Sequence, residues 1–217
     1  NESVVKVVFT WGSPAPGGST YNWVQNLALD ESGRILFAAN LQDGSNAIFL
    51  WDNGTTRRLV KIGDSLAGKK INNYASLQAA GKKFYVLFNY ENWGNEILQY
   101  DGVAWRSLLS SGSLLSTGQN LNYFRYNQFA VSTAGEIVFI SDLGPNYAVY
   151  LHKADGRDLV VARSGERSSD GEWYFDFLSV TVNEQGIVFF SAISNGRNTD
   201  RLSLFQAKST ERSRLRP

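Results

Sequence analysis

Hydrophobic residues recur along the chain in short runs, each of which follows a turn that ends in glycine. Four such turns can be aligned, and they end at Gly33, Gly81, Gly135 and Gly186. The runs that follow read RILFAANL, KKFYVLFNY, EIVFISDL and IVFFSAI. These runs are rich in β-branched and aromatic residues, and no segment shows the period of a helix, so the pattern predicts β-strands throughout.

The spacing of these turns predicts the architecture. The four glycines are 48, 54 and 51 residues apart, and each unit offers four candidate strands. A repeat of this size with several strands per unit is typical of a β-propeller. We therefore predict an all-β fold, a small β-propeller of four four-stranded blades. It would form a single domain over residues 1–217, with repeat units at about 21–71, 72–121, 122–174 and 175–217.

The candidate strands of the four units follow the same order. In the first unit they are Val24–Leu29, Arg34–Asn40, Ala47–Trp51 and Arg57–Ile62. In the second they are Ala75–Gln78, Lys83–Asn89, Glu96–Tyr100 and Ala104–Leu109. In the third they are Gln128–Ser132, Glu136–Ser141, Ala148–His152 and Asp158–Arg163. In the last they are Leu178–Val182, Ile187–Ile193, Leu202–Ala207 and Arg212–Arg216.

The N-terminal segment predicts how the ring closes. Val4–Trp11 aligns with the fourth strands of the other units but has no strands before it, and the charged segment Arg212–Arg216 makes a poor fourth strand. We expect Val4–Trp11 to pair as the outer strand of the last blade. Within the second strands, Phe37, Phe88, Phe139 and Phe190 recur at what we interpret as one position, and we expect them to form the core between blades.

Three segments resemble a known repeat. Gly12-Ser-Pro-Ala-Pro-Gly-Gly18 follows the N-terminal strand, Gly63–Gly68 lies one unit later, and Asn183-Glu-Gln-Gly186 opens the strand that contains Phe190. Together they resemble the bacterial extracellular tandem repeat described as NxxGxxAF-containing, in which a GDPAPGG-like turn precedes the next strand pair. The asparagine is replaced by Asp30 in the first unit and Ser132 in the third. The second unit lacks it and carries one extra residue after Gly81. The resemblance implies an exported, propeller-like bacterial protein and supplies no catalytic residues.

Composition excludes several classes of function. A formal net charge of +1 gives no basic footprint for nucleic acid across the whole chain. No apolar run approaches the roughly 18 residues of a membrane-spanning helix, so we expect no membrane insertion. Cysteine is absent, which excludes disulfides and thiol nucleophiles. Methionine is absent too, so we expect a secreted or cell-surface product whose signal peptide has been removed.

The loops at one end of the predicted blades carry the candidate binding residues. We expect the loops from second to third strands, and the crossings between blades, to be longer than the other turns and to share one rim. Amides, carboxylates and aromatic rings on this rim suit recognition of sugars or peptides. The candidate ligand-binding residues are Trp23, Asp43, Tyr74, Trp93, Tyr126, Asp142, Trp173 and Asn198. Alternatively, the polar residues only make turns and the aromatic residues seal the central channel.

Catalysis has less support in the sequence. His152 is the only histidine and no nucleophile-elbow motif is present, so we expect a structural histidine. Neither a metal nor another cofactor is indicated. Paired carboxylates could still perform glycoside chemistry, and the acidic residues in or near the loop-rich rim are Asp43, Glu91, Asp142, Glu172 and Asp176.

Three hypotheses of function follow. The leading one is a non-catalytic binding module of an exported bacterial protein, whose partner is a glycan or an extended peptide. The second is a structural or self-assembling module of a surface protein. The third is a carboxylate-based glycoside hydrolase or lyase.

Overall fold

Every regular element in the described part of the chain is a β-strand, as the hydrophobic pattern predicts. The structure is a computed structural model that describes residues 8–92, 94–143, 146–195 and 200–208, without the side chains of Tyr126, Asn127 and Leu143. The chain divides into two compact units, Asn1–Leu108 and Leu109–Pro217. Within the described residues no helix is long and apolar enough to cross a membrane.

The first ten strands form two sheets. The first sheet contains β1 (Pro14–Ala15), β2 (Ser19–Leu29), β3 (Ile35–Leu41), β4 (Asn46–Asp52) and β5 (Thr55–Lys61). The second contains β6 (Ser65–Leu66), β7 (Lys69–Ala80), β8 (Lys83–Tyr90), β9 (Asn95–Tyr100) and β10 (Trp105–Ser110). Neighbouring strands in each sheet are also neighbours in sequence, so each sheet is a meander built from hairpins.

The last seven strands form two further meanders. The third sheet contains β11 (Phe124–Val131), β12 (Ile137–Leu143), β13 (Asn146–His152) and β14 (Asp158–Arg163). The fourth contains β15 (Trp173–Val182), β16 (Ile187–Asn195) and β17 (Asp200–Lys208). All pairings recorded within these two sheets are antiparallel.

Three of the four sheets contain the four long strands that the repeat predicts, namely β2–β5, β7–β10 and β11–β14. The fourth sheet has three strands among the described residues, and the predicted strand Arg212–Arg216 lies outside them. Most of the predicted closing strand, Val4–Trp11, also lies outside the described residues. Its described part, residues 8–11, contains no strand. The number of blades and the closure of the ring therefore stay predictions.

The first long strand of every sheet begins earlier than the pattern predicts. β2 begins at Ser19 rather than Val24, and β7, β11 and β15 likewise begin several residues early. The pairing of β2 with β3 shifts register between Tyr21 and Trp23 and again between Val24 and Asn26, and β7 and β15 show the same two shifts. Because each bulge breaks the alternation of inward and outward side chains, the pattern hides these segments. Trp23, Tyr74 and Trp173, which were predicted on the loops of one rim, lie instead on strands.

A small hairpin precedes the first strand of each sheet and recurs four times. It opens at Gly12, Gly63, Gly112 and Gly165, all of which have positive φ, a conformation that glycine adopts without steric cost. Each glycine donates its backbone N–H to the carbonyl of a buried residue on the far side of the hairpin, over 2.6 to 2.9 Å. Only the first two copies are recognisable from the sequence. The later ones keep the glycines but change the residues between them.

The polar residue of the NxxG turn has a structural function. The Oδ1 atom of Asn183 accepts hydrogen bonds from the backbone N–H groups of Gln185 and Ile187 at 3.0 and 2.9 Å. Asp30 makes the equivalent pair of bonds in the first sheet, and the Ser132 hydroxyl makes one in the third. The second sheet needs no such residue, because residues 81–82 alone join β7 to β8. That turn is shorter than the others, and the recurrent position lies five residues after Gly81, where it lies four residues after Gly33, which confirms the extra residue expected after Gly81.

The recurrent phenylalanines form the core, as predicted for three of them. Phe37, Phe139 and Phe190 are at most 2% exposed. Each stacks on an aromatic residue of the next strand, at centroid distances of 5.4, 5.4 and 5.3 Å, and those partners are Phe49, Tyr150 and Phe205. Such cross-strand pairs stabilise a sheet beyond their burial alone.

Phe88 is buried as well, but not at the recurrent position. It lies opposite Tyr74, in the register position that Ala39 and Ala192 occupy in the first and fourth sheets. Val86 fills the recurrent position instead. The prediction that Phe88 matches the other three was wrong, because Phe88 lies two residues beyond the recurrent position on β8.

Candidate functional site

The loops between second and third strands are as short as the other turns, which corrects that part of the predicted contrast, whereas the crossings at residues 111–123 and 164–172 are longer. Residues 42–45 join β3 to β4, and residues 144–145 join β12 to β13. Asp43 shows what the polar residues of these turns do. Its Oδ1 atom accepts hydrogen bonds from the hydroxyl and the backbone N–H of Ser45, at 2.6 and 2.9 Å. These bonds lower the pKa of the exposed Asp43 carboxyl, and they make Asp43 a turn residue.

Tyr74 belongs to the core of the first unit and not to an open rim. Its side chain is buried, and its hydroxyl donates a hydrogen bond to Oε1 of Gln25 on β2. Burial raises the pKa of this hydroxyl, since the phenolate would lose its hydration. Tyr74 therefore joins two neighbouring sheets of one unit and offers little surface to a ligand.

Some of the remaining candidate ligand-binding residues lie within the described part of the chain and others lie outside it. Trp23 on β2 is 69% exposed. Trp93 and Asn198 lie outside the described residues, and so does the side chain of Tyr126, whose backbone belongs to β11. Asp142 and Trp173 both lie in the second unit, where they belong to one continuous group of side chains.

Arg125 is the centre of that group. Its guanidinium Nη2 lies 2.8 Å from Oδ2 of Asp176, and Nη1 lies 3.8 Å from Oδ1 of Asp142. The guanidinium carbon is 3.2 Å from the centroid of the Tyr147 ring, in a cation–π contact. Strands β11, β12, β13 and β15 each supply one member of the cluster. The bulges explain its position, since Arg125 follows Phe124 where β11 shifts register and Asp176 follows the first shift of β15.

The electrostatics of the cluster are asymmetric. Burial raises the pKa of the Asp142 carboxyl, the guanidinium of Arg125 opposes this rise, and the carboxylate of Asp176 adds to it. Asp176 is held more firmly, because its Oδ1 atom also accepts a hydrogen bond from the backbone N–H of Phe177 at 2.8 Å. Two carboxylates share one guanidinium, so the cluster favours a ligand that donates hydrogen bonds.

A cavity of about 450 Å³ opens beside this cluster. Its lining is mainly aromatic and consists of Asn146, Tyr147, Ser164, Gly165, Trp173, Tyr174 and Phe175. Trp173 and Phe175 are 43% and 51% exposed, and the guanidinium of Arg167 lies 4.7 Å from the Trp173 ring. Mutual hydrogen bonds with Ser164, each of 2.8 Å, fix the backbone of Tyr147. Tyr147 thus connects the cavity to Arg125.

The structure therefore brings two of the predicted residues, Asp142 and Trp173, to one site through residues that the sequence analysis did not select. Arg125 and Tyr147 were missed, and Asp176 was noted only as an acidic residue in or near the rim. One signal was available. Arg125 is a lone charge within the aromatic run Tyr123-Phe-Arg-Tyr126.

His152 is part of a structural network. Its Nδ1 atom lies 2.7 Å from Oδ1 of Asp158. Ser116 contacts the same aspartate and not the histidine: its backbone N–H donates to Oδ2 of Asp158, and its hydroxyl accepts from the backbone N–H of Asp158. Serine, histidine and aspartate are thus close together, but the serine lies on the wrong side of the aspartate for a catalytic triad.

The other acidic candidates are engaged elsewhere. Glu91 pairs with Lys70 at 2.6 Å, and Glu172 accepts a hydrogen bond from the Ser194 hydroxyl at 2.6 Å. Across the described residues, no group of three or more histidine, aspartate or glutamate side chains is arranged to hold a metal ion.

Comparisons with known proteins identify the fold only. No protein-family model matches the chain, and no curated protein matches its sequence. A solved puromycin hydrolase is similar in structure, with a TM-score of 0.53 and 14% identity over 85% of this chain and 27% of that one. Dipeptidyl peptidase 4 of Porphyromonas gingivalis gives a TM-score of 0.52 and 9% identity, over 78% and 27%. A puromycin-hydrolyzing peptidase of Mycobacterium tuberculosis gives 0.51 and 9%, over 89% and 28%.

The chain thus spans about a quarter of the length of these three solved proteins. The solved proteins that resemble it are β-propeller proteins, and together with the meanders they support an all-β, propeller-like fold. Identities this low carry no information on activity.

Proposed function

We propose that the chain is a non-catalytic binding module of an exported bacterial protein, which recognises a glycan or an extended peptide at the cavity of the second unit. The observation that carries the proposal is that exposed rings meet a partly buried charged cluster at one place. Trp173 and Phe175 line the cavity, and Tyr147 joins it to Arg125. Ligand sites usually combine apolar walls with a few fixed polar groups. Export rests on the resemblance to the NxxGxxAF-containing repeat.

Each part of the cavity makes a different contribution to binding. The rings of Trp173 and Phe175 offer flat apolar surfaces on which a sugar ring or an aliphatic side chain stacks. Asn146 adds an exposed amide. The Asp142 side chain is 35% exposed and accepts hydrogen bonds from hydroxyl or N–H groups. Arg125 holds both carboxylates in place before the ligand arrives, which reduces the entropy lost on binding.

A binding screen with matched variants tests this proposal. Wild-type protein is applied to a glycan microarray and to an array of immobilised peptides. We expect Trp173→Ala and Phe175→Ala to weaken any interaction about tenfold, the loss expected for one stacked ring. The control is Val103→Ala, an exposed apolar residue in the turn before β10. Binding that neither cavity variant changes, or no binding on either array, would contradict the proposal.

A carboxylate-based hydrolase is a second candidate, because Asp142 and Asp176 converge on Arg125 and burial raises the pKa of Asp142. A glycosidase needs one carboxyl that stays protonated beside one that stays ionised. The test measures reducing ends released from each glycan that the protein binds. This candidate predicts release that Asp142→Asn and Asp176→Asn both abolish while binding persists. Wild-type protein that binds a glycan and leaves it intact eliminates the candidate.

For the fold, we propose a ring of four blades closed by residues 4–11 beside β17. β5, β10 and β14 each end two residues before the glycine that opens the next hairpin, at Gly63, Gly112 and Gly165. Gly12 opens an equivalent hairpin, so an outer strand is expected to end near Thr10. β17, the edge of the three-stranded sheet, exposes Leu202 and Leu204 by 70% and 74%. An apolar edge of this kind favours pairing with a further strand.

A further inference from the structure

Two tryptophans of the first unit are mostly exposed, and both adjoin Asn22. Trp11 directly precedes Gly12, which opens the first small hairpin, and is 75% exposed, and Trp23 on β2 is 69% exposed. Asn22, which directly precedes Trp23, accepts a hydrogen bond from the indole N–H of Trp11 through its Oδ1 atom at 3.2 Å. Asn22 is therefore bonded to one indole and adjacent in sequence to the other. We call Trp11, Asn22 and Trp23 the tryptophan platform.

The backbone beneath the platform is well fixed. Gly12 donates its backbone N–H to the carbonyl of Tyr21 at 2.8 Å, and Tyr21 donates back to the carbonyl of Ser13 at 3.0 Å. The register of β2 shifts between Tyr21 and Trp23, which makes Asn22 a bulge residue. Bulges re-aim side chains, and here Asn22 and Trp23 both face solvent. A platform on a bonded hairpin and a strand is thus pre-organised.

The core of the first unit does not use these two rings. Three other aromatic residues, Phe9, Tyr21 and Phe37, pack against one another at centroid distances of 4.7 to 5.9 Å. Tryptophan is a large apolar residue, and two that are mostly exposed beside one amide are costly unless a ligand covers them.

Two neutral amides lie near the platform, those of Asn40 and Gln42. Asn40 lies opposite Trp23 in the register of β2 and β3. The Nε2 atom of Gln42 lies 3.9 Å from the position that a Cβ atom would take at Gly12. The cluster of the second unit, by contrast, contains a guanidinium and two carboxylates. Amides donate and accept hydrogen bonds without demanding a charge, and indole faces stack on the C–H faces of sugar rings.

We propose that the tryptophan platform is a second binding site, and that its ligand is a neutral saccharide. The inference stands on the first unit alone and does not require the cavity of the second unit. If both sites bind the same glycan, the protein is bivalent for polymers, and its avidity for a long chain exceeds its affinity for a short one.

The test uses purified full-length chain and an array of neutral and anionic oligosaccharides. We expect at least one neutral oligosaccharide to bind, and Trp11→Ala and Trp23→Ala each to raise its dissociation constant about tenfold. Asn22→Ala weakens binding less, because it frees the Trp11 indole without removing it. Leu29→Ala is the matched control, since Leu29 is a 61% exposed apolar residue of the same strand. All of these positions are exposed, so thermal midpoints should match that of the wild type.

The two sites can be told apart in the same experiment. Trp173→Ala should leave binding at the platform unchanged, and about 0.5 M sodium chloride should not weaken it, since no charge pair contributes. If binding is lost in Trp173→Ala and unaffected in Trp11→Ala and Trp23→Ala, the platform proposal fails and the cavity proposal stands. The reverse pattern supports the platform and shows that the cavity does not bind that saccharide. If no neutral saccharide binds, the platform proposal fails.

Discussion

Arg125 holds side chains of four strands together through one guanidinium group. It contacts Asp142, Asp176 and the face of the Tyr147 ring, and its own side chain is 17% exposed. Removal of one partner from a partly buried ion pair is destabilising, because the charge of the remaining partner is left uncompensated. The cluster therefore links the stability of the second unit to the shape of the cavity.

We predict that Arg125→Gln destabilises the protein by about 2 kcal/mol, since it leaves two neighbouring carboxylates without their shared cation. The loss should shrink in acid, where protonation removes the charge of Asp142, because burial raises the pKa of that carboxyl. Urea unfolding at several pH values measures both effects. The control is Arg106→Gln on β10, which is exposed and should change the free energy of unfolding by less than about 0.5 kcal/mol. Equal losses in the two variants would contradict a specific function for Arg125.

The buried tyrosines should make the stability of the protein depend on pH in the alkaline range. Burial raises the pKa of Tyr21 to about 12, and burial also raises the pKa values of Tyr74, Tyr85, Tyr150 and Tyr174. The unfolded chain releases these protons near pH 10, so in this range the folded state binds more protons than the unfolded one. Stability is therefore fully present below about pH 10 and falls as pH rises through the folded pKa values.

The measurement combines tyrosinate absorbance with urea midpoints at rising pH. We expect the buried tyrosines to ionise only as the protein unfolds, so that the absorbance step and the loss of structure coincide. Ionisation of all ten tyrosines near pH 10 in folded protein would contradict the burial of these side chains.

At the scale of the element, the turns were predictable and the bulges were not. The NxxG motif was visible because its polar residue hydrogen-bonds to the backbone of its own turn, as Asn183 shows. The conformation of the turn is therefore encoded locally. Bulges depend on pairing with another strand and break the alternation that reveals a strand. That is why β2 was predicted to begin at Val24, and why the site residues Arg125 and Asp176, which lie beside register shifts, were missed or undervalued.

We predict that Asn183→Ala destabilises the fourth sheet by about 1 kcal/mol, because two backbone N–H groups lose their acceptor. Thermal or urea unfolding measures the change, and the control is Glu184→Ala in the same turn, where the side chain is exposed. Asn183→Asp keeps the acceptor oxygen and should retain most of the stability. If Asn183→Ala and Glu184→Ala are equally stable, the turn does not depend on the side-chain bonds.

At the scale of the whole molecule, the period of about fifty residues was sufficient to predict four sheets and the order of their strands. The hydrophobic runs are local, and each meander pairs strands that are adjacent in sequence. The site was less predictable, because Asp142, Tyr147 and Trp173 come from different strands and only meet when two sheets pack. Trp173 was selected as an aromatic residue on a rim of long loops, but the loops between second and third strands on that rim are as short as the other turns. Its position depends on β15 and the hairpin before it.

The proposed closure of the ring can be tested by exchange of backbone hydrogens. If residues 4–11 form the outer strand beside β17, deletion of residues 1–8 removes the hydrogen-bond partners of that strand. We expect faster hydrogen exchange across residues 200–208 and little change in β12 or β13, since the effect of a lost edge strand is local. Deletion of residues 209–217 is the control and should leave the exchange of β17 unchanged.

Light scattering on both variants separates closure within one chain from exchange of the strand between two copies. A monomeric wild type in which the N-terminal deletion exposes β17 supports the closed ring. A wild-type dimer that the deletion dissociates supports a swapped strand instead, which makes self-association a property of the fold. If the exchange of β17 is the same with and without residues 1–8, the N-terminal segment does not pair there. The exposed leucines of β17 would then favour contact with another molecule, because an unpaired apolar edge promotes association.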